Sequence, residues 1–200
     1  MSTEFTVGWV LRASTVGFAV GCRVIQPNTP HFGDLVKVHL EPEAIDLFGI
    51  VYNVEVHDDP AVRQLILTGE IEPEVILDQR QNRLVPIELS VLVVGYQQHG
   101  QLVQGLPPQP PLSLNAIAIC DDEEIRRFTT SFDYLRLMLN APQVPVDELI
   151  IANLQRAALA QPESQRYRFL VGAGKALARL LHTDLVRLEG ILKRIKMVTL

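Results

Sequence analysis

The chain has 200 residues, 48% of them apolar and 20% charged, with a net charge of −5, a composition that buries one sizeable core or two small ones and excludes disordered, collagen-like and low-complexity classes. No apolar run approaches the roughly 18 residues that cross a bilayer, so no membrane span is expected. Met1 to Phe5 carry an acid and lead into no apolar stretch, and two cysteines, Cys22 and Cys120, are too few for a disulfide framework or a zinc site, so a reducing cytoplasm is the expected location.

Residues 5–56 fall into short apolar pieces near 5–12, 18–25, 34–40 and 48–56, separated by Gly, Pro and Asn, as the strands of a small sheet or barrel do. Val7, Trp9 and Leu11 form one period-2 face and Val36, Val38 and Leu40 another, so each strand is expected to bury one side. Asp59-Pro60 reads as a cap followed by a first-turn proline and Gly69 as a stop, which predicts a short helix near 60–68. A polar stretch from Glu70 to Asn82 follows. Leu84 to Tyr96 predicts a strand whose Ile87-Glu88-Leu89-Ser90 part alternates and whose Val91-Leu92-Val93-Val94 part is buried on both faces. His99-Gly100 reads as a hairpin turn into Gln101-Leu102-Val103. Gly105 to Leu112 holds too many prolines for a helix or central strand and must run extended on the surface, as a stiff connector or a polyproline ligand. Ala116 to Cys120 is the last expected strand.

From Asp121 the period changes from 2 to 3.6, which divides the chain into a barrel-like part, 1–120, and a helical part, 121–200. One helix is expected from Asp121 to about Leu139, a second from Pro145 to Gln161, and a long third over roughly 165–196. Residues 166–200 hold 8 basic and 2 acidic residues against 10 and 21 in residues 1–165. The acidic body repels phosphate, while the cationic end is free to meet DNA, anionic lipid or the acidic body of a neighbouring subunit. On the third helix Leu177, Leu181, Leu185, Leu188, Leu192 and Ile195 form one stripe, which either packs on the chain's own helices 122–139 and 146–160 or serves as a seam for self-association or partner docking, with Leu188 to Ile195 the part expected to meet a second chain.

The arrangement Gly8-Trp9-Val10, Gly33-Asp34-Leu35-Val36-Lys37-Val38 and Phe48-Gly49-Ile50-Val51-Tyr52-Asn53-Val54, closed by the Pro107 to Pro111 stretch and the Ala116 to Cys120 strand, resembles the HAS barrel. That small β-barrel occurs in HerA-type DNA-translocating ATPases and in the head subunits of rotary ATP synthases. The resemblance covers residues 5–120 at most and implies a role in building an oligomer or docking a HerA-type P-loop ATPase or an associated nuclease. No ATPase pattern follows the barrel here.

Residue by residue, the chemistry-bearing motifs are sparse. Gly172-Ala173-Gly174-Lys175 resembles the end of a phosphate-binding loop, but Phe169 stands at its first glycine and Ala176 at its hydroxyl, so close helix packing is the expected role. His57-Asp58-Asp59 offers an imidazole and two carboxylates, the only grouping suited to a metal or to carboxylate hydrolysis, though Asp59 also serves as the helix cap. Arg80 and Arg83 are suited to an anion or an acidic partner, as are Arg187, Lys193, Arg194 and Lys196 near the end of the chain. Both cysteines read as buried thiols.

The expectation is therefore an α+β protein, a small closed HAS-like barrel followed by helices, with no cofactor, no metal and no catalytic residue. Its expected function is that of a non-catalytic interaction or assembly module, with Leu181, Leu185, Leu188, Leu192 and Ile195 as the contact stripe. The two rivals are a nucleic-acid-associated protein using the basic C-terminal helix and a hydrolase built around Asp58 and Asp59.

Overall fold

The computed structural model describes residues 6–23, 29–56 and 86–196, together with Arg63 and Leu67. Its strands are β1 (Thr6–Ala13), β2 (Gly17–Arg23), β3 (Leu35–Leu40), β4 (Ile45–Val56), β5 (Pro86–Gln98), β6 (Gln101–Val103) and β7 (Ala116–Ile119). All pair antiparallel in the order β2-β1-β7-β3-β4-β5-β6, and β2 also pairs with β5, from Gly17 opposite Leu92 to Arg23 opposite Pro86. This last pairing closes six strands into a barrel and leaves β6 as the short arm of a hairpin on β5. The hairpin turns at His99 and Gly100, both with positive φ (50° and 78°), the geometry that matches the twist of the flanking strands. Five helices follow: α1 (Asp122–Phe128), α2 (Leu135–Leu139), α3 (Val146–Ala160), α4 (Glu163–Leu180) and α5 (Leu185–Lys196). Barrel and helices together are the α+β architecture that the change of period implies.

Two cores result. Inside the barrel, Val10, Val20, Val36, Val38, Leu47, Val51, Leu89, Val91, Val93 and Ile117 pack together. On its outer wall, Leu35, Phe48, Ile50, Leu92 and Val94 are covered by helical residues including Phe128, Tyr134, Leu149, Ile150 and Leu154. β5 therefore sends Val91 and Val93 inward and Leu92 and Val94 outward into the helices, so its apolar run is buried on both faces.

β1 corrects the sequence pattern. Trp9 and Leu11 lie on the exposed side, 43% and 48% accessible, while Gly8 and Val10 face inward. A Cβ on Gly8 would lie 2.6 Å from Gly21 O and 2.7 Å from Cys22 Sγ, so the inward face of β1 in this narrow six-stranded barrel has no room for an indole. β3 keeps Val36, Val38 and Leu40 buried as its alternation predicts.

Two expected helices are broken. The first stops at Phe128 and resumes at Leu135. At the break the Thr129 hydroxyl donates to Ile125 O (2.7 Å) and the Thr130 hydroxyl to Arg127 O (3.0 Å), local bonds that compete with helix continuation. Gln104, just after β6, spans the gap: its Nε2 donates to Phe128 O (2.6 Å) and Ser131 O (3.0 Å), and its Oε1 accepts from Tyr134 N (3.0 Å). The long third helix is two helices, α4 and α5, joined by Leu181 to Asp184, where Asp184 Oδ1 caps the second by accepting from Arg187 N (3.1 Å). Of the helix expected near 60–68, Arg63 and Leu67 are helical, and the remainder lies outside the described residues. No helix among the described residues is long and apolar enough to cross a membrane.

Candidate interaction surface

The Gly33-Asp34 turn is where helices and barrel meet. Gly33 adopts φ +89°, and a Cβ there would lie 2.7 Å from Ala152 Cβ and 3.0 Å from Asn153 N, so α3 runs directly against the glycine backbone. Only glycine meets both conditions. Asp34, buried to 3% accessibility, accepts from His31 N (2.8 Å) through Oδ2 and from Arg156 Nε of α3 (2.7 Å) through Oδ1. Asn153 Nδ2 donates to Gly33 O (3.0 Å), and the buried Tyr134 hydroxyl donates to Asn153 Oδ1 (2.9 Å). Burial holds the Tyr134 hydroxyl well above the usual phenol range, so it stays a donor. Gly33 and Asp34 thus fasten α3 to the barrel, and the turn into α2 joins them only through Tyr134 and Asn153.

On β1 and in the turn before β7, large apolar side chains face solvent. Trp9 is the chain's one tryptophan. Leu11 lies over Gly21, which pairs with Trp9, close enough that a Cβ on Gly21 would sit 3.2 Å from Leu11 Cδ2. The turn before β7 is bonded along the same strand: Leu114 N donates to Val10 O (2.8 Å), Val10 N to Asn115 O (3.0 Å), and the Ser113 hydroxyl to Leu11 O (3.1 Å). That turn holds Leu112 and Leu114 at 70% and 78% accessibility, with Leu114 at φ +70°. A branched side chain in the left-handed region is strained by roughly 1–3 kcal/mol, and here the strain keeps a leucine in water. Sequence reasoning missed this surface because Leu112 and Leu114 sit in a proline-rich connector with no strand period.

The predicted contact stripe is divided. Leu177, Leu181 and Ile195 are buried and Leu188 is half-buried, while Leu192 is 37% and Leu185 67% exposed. Residues 188–195 turn their main apolar contacts inward, through Leu188, Ile191 and Ile195, and the exposed apolar groups gather instead at the α4–α5 corner, in Leu180, Leu185 and Val186. Of the C-terminal cations, Arg187 pairs with Asp147 (2.6 Å) and Arg194 forks onto Glu148, both acids in the first turn of α3. Arg194 holds the Glu148 carboxyl below its ordinary range by hydrogen bonding. Lys196 also has a partner, and Lys193 is exposed. Arg80, Arg83, His57, Asp58 and Asp59 lie outside the described residues.

The Gly172 to Lys175 segment lies within α4, where a Cβ on Gly172 would sit 3.1 Å from the Phe132 ring and one on Gly174 3.3 Å from Leu192 Cδ2. Both cysteines are buried free thiols, and burial pushes Cys22 up to about 11. No group of His, Cys, Asp and Glu suited to a metal occurs among the described residues. A cleft of about 320 Å³ opens at the β1–β2 hairpin, lined by Arg12, Ser14, Phe18, Tyr52, Ser90 and Gln143 among others. Arg12 is tied there to Glu88 (2.5 Å). No family model matches the chain, and no curated protein matches it either.

Proposed function

We propose that this protein is a non-catalytic interaction module of the cytoplasm, forming oligomers or docking a partner protein through the apolar wall of Trp9, Leu11, Leu112 and Leu114. The observation that carries the reading is the exposure of these four side chains on neighbouring, mutually bonded backbone. Large apolar side chains held in water on adjoining segments are unfavourable there and mark an interaction site. Covering one leucine contributes roughly 1.5–3 kcal/mol. The resemblance to HAS barrels supports the choice of partner: a second copy, or a HerA-type P-loop ATPase or its nuclease.

Trp9 lets the surface report on itself, because it is the only indole in the chain. Its emission should shift to shorter wavelength as protein concentration rises, or on addition of the ATPase, in step with an increase in sedimentation coefficient. The Leu112→Asp/Leu114→Asp variant should abolish both changes and keep the far-UV spectrum of the wild type. Emission that stays that of a wet indole while a complex forms would move the contact elsewhere, and a monomer that binds neither partner would overturn the reading.

A further inference from the structure

The outer face of α4 is chemically unlike the rest of the molecule. α4 buries Ala173 and Leu177 and half-buries Phe169, Leu170 and Ala176 against the shared core. Its opposite face exposes Ser164, Arg168, Val171, Lys175, Ala178 and Arg179, and the helix's one acid, Glu163, lies about 140° round the axis from Arg168. None of Arg168, Lys175 and Arg179 has a carboxylate partner among the described residues, in contrast to Arg187 and Arg194 on α5. At about 1.5 Å per residue the three cations line roughly 16 Å of one face. Tyr167, 77% exposed, lies about 100° round the axis from Arg168, on the side of Glu163.

We propose that this face binds single-stranded nucleic acid, with Arg168, Lys175 and Arg179 along the phosphate backbone and Tyr167 as a stacking platform for one base. The combination of unpaired cations and a wet aromatic ring is the chemistry that holds single strands without reading sequence. A lipid surface fits less well, because a surface-lying helix inserts its apolar face and the apolar face of α4 is already in the core. A duplex is a wide rod that brings its charge against the acidic body, whereas a flexible strand follows one helix. The proposal is independent of the apolar wall of the barrel.

The test is fluorescence anisotropy of a labelled oligothymidylate of about 15 nucleotides with the full chain. Binding should appear at about 25 mM salt with a log–log salt slope near −2, three contacts at about 0.7 each. Arg168→Gln/Lys175→Gln/Arg179→Gln should weaken it by more than tenfold and flatten the slope. Tyr167→Ala should weaken it about 5-fold or more with the slope unchanged, Tyr167→Phe should restore it, and Lys193→Gln on α5 should leave it as it was. Circular dichroism checks that each variant is folded. No binding at low salt overturns the proposal, as does binding indifferent to the α4 variants. Equal affinity for duplex, for vesicles with anionic lipid or for polyglutamate, with Tyr167→Ala silent, also overturns it and assigns the stripe to a generic polyanion contact.

Discussion

The two cores of this protein are built by different means. The interior of the barrel is mainly aliphatic, filled by Val, Leu and Ile that strand alternation delivers from every side, with Phe18 and Cys22 among them. The core between barrel wall and helices is aromatic and partly polar: Phe48, Phe128 and Tyr134 stand in a row with ring centroids 5.2 and 5.3 Å apart, beside the line Asp34, Arg156, Asn153 and Tyr134. A closed barrel sets its own register through backbone pairing, so its filling needs only the right volume. Helices laid on a convex sheet have no such ladder. Apolar burial alone would let them slide, and a few directed hydrogen bonds at Gly33, Asp34 and Asn153 determine where they stop.

Substitutions separate the two in order of size. Leu89→Ala, at 0% accessibility in the barrel interior, should cost about 2–5 kcal/mol in urea or thermal unfolding. Because the helices rest on the wall that the barrel forms, strands and helices should lose hydrogen-exchange protection together. Gly33→Ala should cost about 2–4 kcal/mol, from a left-handed backbone and a Cβ placed 2.7 Å from Ala152 Cβ. Here α2 and α3 amides should exchange faster while β1 and β2 keep their protection; equal loss in all elements would show that the cores are not separable. Tyr134→Phe removes the donor to Asn153 Oδ1 and should cost about 1–2 kcal/mol, most of it shared with Asn153→Ala in a double-mutant cycle.

The pH and salt responses are smaller. Burial raises the folded-state pKa of Cys22 from 9.0 to about 11, so the unfolded chain ionises first and stability should fall as pH rises from about 9 to 11. Cys22→Ala should flatten the part of that decline that belongs to the barrel interior, read as a melting temperature against pH. The smallest effect is expected at α5. Glu148 has a lowered pKa when folded, so its contribution is present at neutral pH and lost as acid protonates it. Amides of α5 should exchange faster in mild acid or high salt, ahead of α3, since Arg194 and Glu148 are half exposed and screened.

Much of this organisation was legible in the residues. Pro86 to Val94 shows in its own letters where a strand passes from one buried face to two, and Asp121 with Glu124 marks the first helix, where the two close a capping box (Glu124 N to Asp121 Oδ1, 2.8 Å). The misreadings share a cause. Trp9 and Leu11 were apolar at period 2, but which face of β1 turns inward depends on the bore of a barrel that six strands build. Thr129, Thr130 and Asp184 read as ordinary helix residues until a partner or a turn takes their hydrogen bonds. The candidate surface fared likewise: the Leu177 to Ile195 stripe is periodic, yet the exposed apolar wall lies in the Leu112 to Leu114 turn, which has no period at all.

Composition and pattern alone therefore determined the kinds of element, the change from strand to helix at Asp121 and the cationic bias of residues 166–200. These are properties of neighbouring residues, set by backbone period, capping and charge. Closure through the β2–β5 pairing, the docking of α3 on Gly33, the break between α1 and α2 that Gln104 spans and the pairing of Arg187 and Arg194 with α3 were decided only by the tertiary structure. Each depends on residues remote in the chain meeting in space, and the enthalpy of such a meeting is a property of the assembled geometry rather than of any local stretch of sequence.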